Sequence, residues 1–227
     1  MRLQIVGEIE RRQHYYLTAE HRCYFFGEYT PHEYTNGARA AYSETNQHIG
    51  NLKKPPSRRG QTDWPYKGKA IRLAGQRLYD AIKWDAPGMR LATFVPVPPS
   101  KTRQDANYDD RILQILNNLN GHLPFDLDIR DMLISDGSLR ASHENFERAA
   151  PADIRRSLVL NAELARKAPN PKSIFLVDDV LTTGAHFVGI SDLLSESFPG
   201  VPVIGIFMAR TVRPVVENFS LDGFSIE

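Results

Sequence analysis

The chain has one cysteine, Cys23, among 227 residues. A single thiol excludes an intrachain disulfide framework and any zinc ribbon built on several cysteines, and it suits a reducing cytoplasm. His14 and His21 lie near it without the recurring Cys/His spacing of a zinc site. An excess of one charge is also missing. The formal net charge is +1, from 28 Lys and Arg against 27 Asp and Glu, so a nucleic-acid contact would need a local patch. No apolar run approaches the roughly 18 residues of a membrane helix and no secretory leader pattern is present, so neither a span nor export is expected. The spacing Asn218-Phe219-Ser220 fits a glycosylation sequon but is chance in a cytoplasmic chain. Internal repeats, a Walker A loop, a dinucleotide-binding glycine pattern, a zinc-protease motif and a serine-hydrolase elbow are all absent.

What is present describes a folded α/β protein. Hydrophobic residues make up 41% of the chain, enough for a sizeable core. Residues 1–65 combine aromatic stretches such as Cys23-Tyr24-Phe25-Phe26 with a polar segment over residues 30–63, and read as a loop-rich appended N-terminal region. From Lys67 a helical period appears with Ile71, Ala74, Leu78 and Ile82 on one face, stopping before Pro87-Gly88. Residues 91–97 read as a strand. Ile112, Ile115, Leu116 and Leu119 mark a helix ended by Gly121, and residues 132–134 a short strand. An apolar strand at Ile174, a helix aligned on Phe187, Ile190, Leu194 and Phe198, and a strand over residues 203–208 complete the pattern. This alternation over residues 66–227 implies a mainly parallel sheet flanked by helices.

The run Ile174-Phe175-Leu176-Val177-Asp178-Asp179-Val180-Leu181-Thr182-Thr183-Gly184-Ala185 carries the chemistry. Four apolar residues read as a buried parallel strand, two carboxylates as its end, and the Thr-Thr-Gly turn as the entry to a helix. Backbone N–H groups and the helix dipole at such an entry favour a phosphate. Ligands of open α/β sheets bind at the carboxyl ends of strands, where acids accept hydrogen bonds from vicinal hydroxyls. The layout suits a sugar phosphate. A plain helix cap needs neither the second acid nor the second threonine.

This stretch resembles the phosphoribosyl pyrophosphate (PRPP) motif of type I phosphoribosyltransferases. The resemblance implies that fold and a PRPP site supplied with Mg²⁺, the ion arriving with PRPP and with Asp178 and Asp179 as its candidate protein contacts. It implies that Asp178 and Asp179 hold the ribose hydroxyls, while Leu181, Thr182, Thr183, Gly184 and Ala185 wrap the 5′-phosphate. Phe94-Val95-Pro96-Val97-Pro98-Pro99-Ser100-Lys101-Thr102-Arg103 is a strand running into a loop with two cations, and it most resembles the pyrophosphate loop of ComF-type (competence-associated) members. Ser100, Lys101 and Arg103 are therefore the pyrophosphate candidates. The Arg-rich segment from Arg140 to Arg148 is similar to the loop that closes over PRPP, making Arg140 and Arg148 the catalytic candidates; Arg155 and Arg156 read as a solvated helix face.

The resemblance spans roughly residues 91–210, and three departures matter. ComF-type proteins usually begin with a cysteine-rich zinc ribbon, which one cysteine cannot build. Thr182 stands where 6-oxopurine members commonly have a carboxylate base, a role a neutral hydroxyl cannot fill. His186 stands where a phosphate-binding Thr or Ser is frequent. The implied activity is transfer of the 5-phosphoribosyl group to a nitrogen acceptor, a nucleobase, with release of pyrophosphate. Residues 1–65, with 210–214, would act as a hood that selects the acceptor. Two alternatives remain: a PRPP- or nucleotide-binding regulatory protein without catalysis, and a ComF-like nucleic-acid-handling component. For the latter, Lys53, Lys54, Arg58 and Arg59 form a basic cluster near Tyr42, Trp64 and Tyr66. A homodimer is the assembly the class brings to mind.

Overall fold

In a computed structural model, which describes residues 2–86, 88–139 and 149–214, the expected alternation forms a six-stranded mixed sheet flanked by helices. Strands β1 (Gln4–Ile5) and β2 (Arg22–Tyr29) precede helices α2 (Glu44–Leu52) and α3 (Pro65–Ala81), with the short helix α1 (Glu8–Arg11) between the two strands. Then follow β3 (Ala92–Pro96), α4 (Arg111–Asn120), β4 (Asp128–Ile129) and β5 (Leu133–Ser135). After the segment 140–148 come α5 (Pro151–Arg156), β6 (Leu158–Leu160), α6 (Ala162–Ala165), β7 (Ser173–Leu181), α7 (Ala185–Ser197) and β8 (Val203–Thr211). No helix among the described residues is long and apolar enough to cross a membrane.

The sheet order is β1-β2-β8-β7-β3-β4, and every neighbouring pair is parallel except β1 with β2. β3 leads through α4 outward to β4, whereas β7 leads through α7 in the opposite direction to β8. The strand order therefore reverses between β3 and β7, which is where open α/β sheets leave a crevice at their carboxyl ends.

Both faces are covered. Ile174 and Leu176 pack with Cys23, Phe25, Phe187 and Ile190 on the α7 side, and Val177 packs with Phe26, Phe94, Leu78 and Ile115 on the side of α2, α3 and α4. Burial on both faces is why the central strands read as continuous apolar runs rather than as alternating ones.

Two expectations change. Residues 1–65 are not merely appended: β2 pairs in parallel with β8 from Arg22 opposite Ile204 to Tyr29 opposite Thr211. The strand expected at residues 132–134 forms over Leu133–Ser135 but outside the main sheet, antiparallel to Leu158–Leu160. The main-sheet strand in that stretch is Asp128–Ile129, a two-residue pairing too short to show a period.

Candidate active site

The acid pair does not end its strand. β7 stays paired with β8 through Asp178 opposite Phe207 and Leu181 opposite Arg210, but its pairing with β3 stops at Pro96 opposite Val177. Past Val177, one edge of β7 opens onto the crevice. Successive strand residues alternate faces, and Asp179 takes the side of α2 and α4.

There Asp179 is already occupied. Its Oδ2 accepts from Arg111 Nε at 2.8 Å and Arg111 Nη2 at 2.5 Å, and its Oδ1 pairs with Lys53 Nζ at 3.1 Å. Arg111 Nη1 also donates to Asp109 at 2.9 Å, and Asp109 accepts from the buried Lys67 at 2.8 Å. Lys67 Nζ donates further to the carbonyls of Leu52 and Lys54, at 2.6 and 2.9 Å. A charged network thus ties the end of α2, the start of α3 and the start of α4 to the motif strand. Buried ammonium and carboxylate groups persist only when paired in this way.

The two acids consequently differ. Burial raises the pKa of Asp178, to about 7, and the neighbouring Asp179 charge adds to the effect. Burial acts on Asp179 too, but Arg111 and then Lys53 outweigh it and hold that carboxyl well below the usual range. Asp178 is half-buried, and its Oδ1 accepts from the Asp179 N–H at 2.7 Å. With a value of about 7 it can hold or release its proton near neutral pH.

The turn after β7 is braced from the N-terminal segment. His14 Nδ1 donates to the Thr182 carbonyl oxygen, Tyr16 N–H donates to the Thr183 carbonyl at 3.1 Å, and Leu17 lies beneath Gly184. Gly184 has φ +90°, and a Cβ there would stand 2.8 Å from Leu17 Cγ. Thr183 Oγ1 accepts from the Ala185 N–H at 3.3 Å, while Thr182 is exposed. Leu181, Thr183, Gly184 and Ala185 are buried, so Thr182 is the exposed residue of the turn at the entry to α7.

Of the pyrophosphate candidates, Lys101 pairs with Asp105 at 3.5 Å and Arg103 with Asp131 at 2.5 Å. The Ser100 carbonyl accepts from Ser135 Oγ at 3.4 Å. The Pro98-Pro99-Ser100 loop and His186, the residue after the acid-pair run, line a common cavity of about 20 Å³, room for about one water. Arg140 and Arg148 lie outside the described residues. Arg155 and Arg156 pair with Glu196 and Asp153 on the surface.

The basic cluster is only partly a free patch. Lys53 points to Asp179, Lys54 and Arg58 pair with Asp63 at 3.8 and 3.0 Å, and Arg59 lies over the Trp64 ring at 5.8 Å. Sequence reasoning did not connect Lys53, Lys67, Asp109, Arg111 or His14 with the acid pair. One signal was available: Lys67 stands four residues before Ile71 on the apolar stripe of α3, where a charge implies a buried partner.

No group of three or more His, Cys, Asp or Glu among the described residues is arranged to hold a metal ion. With Asp179 held by two cations, Asp178 is the one carboxyl of the pair left for a metal, too few for a protein-held Mg²⁺ without oxygens from a ligand. Compared with protein-family models the chain matches none, and compared with curated proteins it again finds no match.

Proposed function

We propose that the protein is a phosphoribosyltransferase with the type I fold, moving the 5-phosphoribosyl group of PRPP to a ring nitrogen of an acceptor and releasing pyrophosphate. The observation that carries this reading is the position of the motif: Asp178 and the turn from Leu181 to Ala185 lie at the carboxyl end of β7, beside the crevice where strand order reverses. The Thr182-Thr183-Gly184 turn suits the 5′-phosphate, since first-turn N–H groups of a helix lack intrahelical partners and the dipole favours an anion.

In this reading Asp178 accepts the ribose hydroxyls. Asp179 acts at one remove, fixing Lys53 and Arg111 beside the sugar, which departs from a direct ribose contact for both acids. As the C1–O bond breaks, the acceptor nitrogen forms the C1–N bond on the opposite face and its proton leaves to solvent. Positive charge at C1 is offset by the neighbouring carboxyl, and negative charge on the leaving diphosphate by Mg²⁺ and by Lys101 and Arg103. Those two cations now rest on Asp105 and Asp131, so ligand binding exchanges one anionic partner for another.

The test is calorimetric titration of Mg²⁺–PRPP into wild type and Asp178→Asn, followed by pyrophosphate release across a nucleobase panel. Asp178→Asn is the informative variant, because removing the Asp179 charge would strand two cations and lower stability by about 3–5 kcal/mol. Wild-type binding weakened about tenfold or more in the variant, as expected for a lost charged hydrogen bond, together with release on one acceptor, is the expected result. Binding without release on any acceptor would assign the protein to ligand-dependent regulation, and no binding would remove the reading.

A further inference from the structure

A second cleft opens at the same edge of the sheet, beside the acid pair. Its volume is about 370 Å³, within the ligand-pocket range and suited to a single-ring molecule. Tyr29 and His32 stand in its wall with ring centroids 6.3 Å apart, and Lys53, Lys54, Arg58 and Asp63 complete the polar lining. Tyr29 is the last residue of β2, which runs parallel to β8 and β7, so the cleft shares their carboxyl-end edge. Lys53 joins the two places: it lines the cleft and reaches Asp179 at 3.1 Å.

The charges do not balance. Three cations face one lining carboxylate, Asp63, which already serves both Lys54 and Arg58. Asp179, the partner of Lys53, is shared with Arg111. The Lys53 and Arg58 side chains are each 45% exposed, so their charges are open to a ligand, whereas Lys54 is 15% exposed and donates to Asn51 Oδ1. An uncharged base would leave this excess unanswered, whereas a carboxylate would pair with it and its ring would pack on Tyr29.

Resting on the phosphoribosyl-transfer reading, we infer that the acceptor is a planar nitrogen heterocycle bearing a carboxylate, held in this cleft by Lys54, Arg58 and Tyr29. The carboxylate serves recognition alone. The ring nitrogen forms the bond to C1 as diphosphate departs, an N–H acceptor losing its proton to solvent and a pyridine nitrogen becoming a pyridinium, and the acid group remains intact in the product.

Matched probes test this: orotate against uracil, and pyridine-3-carboxylate against pyridine-3-carboxamide, titrated calorimetrically into the full chain with saturating Mg²⁺–PRPP. At least one carboxylated ring is expected to bind about tenfold tighter than its uncharged partner, with that preference lost in Lys54→Gln/Arg58→Gln and enlarged in Asp63→Asn. The two variants change the local charge in opposite directions, so a folding defect cannot imitate both results. Titration of Mg²⁺–PRPP alone into wild type separates the two claims. PRPP binding with no carboxylate preference, or with a preference that neither variant changes, would overturn this inference and leave the transferase reading standing. Failure of PRPP to bind would remove both, even if a carboxylated ring bound.

Discussion

Burial pushes the pKa of Asp178 and Asp179 upward alike, yet only Asp179 has Arg111 and Lys53 close enough to reverse it. Asp178 therefore keeps a value of about 7 in the folded chain against an ordinary 3.8. Because the folded state holds that proton more tightly, ionisation costs stability above about pH 7, and the cost vanishes as pH falls toward the unfolded value. Asp178→Asn is neutral at every pH. Relative to wild type it should melt higher at about pH 8, the gap closing toward about pH 5, in thermal melts followed by circular dichroism. A constant offset at both pH values would show that Asp178 is ionised throughout. Asp179 has the opposite sign: its contribution is present above the ordinary carboxylate range and is lost only in much stronger acid. His14 is also kept neutral, by burial first and by nearby Arg210 and Arg213, so its Nδ1 carries the proton given to Thr182 and its Nε2 stays bare. The two acids and the Thr-Thr-Gly turn were legible because they are contiguous. Arg111 and His14, at 68 and 168 residues from their partners, carry no local mark of that role.

Among the elements, β7, its turn and α7 form the unit on which the site stands. Gly184 occupies a left-handed conformation, with Leu17 directly beneath the position of a Cβ. Gly184→Ala should therefore cost about 1–3 kcal/mol from backbone strain, with a further steric contribution from Leu17. Chemical denaturation of Gly184→Ala, Leu17→Ala and the double variant measures both parts. Leu17→Ala should recover only the steric part, and full recovery would mean that the backbone strain is negligible. The helical period that identifies α3 and α4 was readable because it repeats every few residues over three or more turns. β4 was not, since two residues cannot show alternation, and β5 was readable as a strand without its partner being readable. Strand character is local, whereas the choice of partner is made across the chain.

For the molecule as a whole, the N-terminal region is part of the architecture. β2 shields one edge of β8, and Cys23, Phe25, Phe26, Ile49 and Leu52 contribute to both hydrophobic cores. A chain restricted to residues 66–227 should lose cooperative folding, because it exposes a long parallel edge and opens cavities on both faces. Low soluble yield and a featureless melt are expected; a soluble fragment with a sharp transition would show that residues 1–65 are dispensable for folding.

Composition and periodicity already established a helix-covered, mostly parallel sheet with an acid-acid-Thr-Thr-Gly motif at a strand-to-helix turn, since these depend on forces acting within a few residues. Folding settled that Asp179 is held by Lys53 and Arg111, that Asp178 alone titrates near neutral pH, and that His14 braces the Thr-Thr-Gly turn. Those outcomes depend on distance and solvent exclusion in three dimensions: burial raises both adjacent carboxyls, and the cations that distant segments bring to Asp179 determine which of the two keeps its proton.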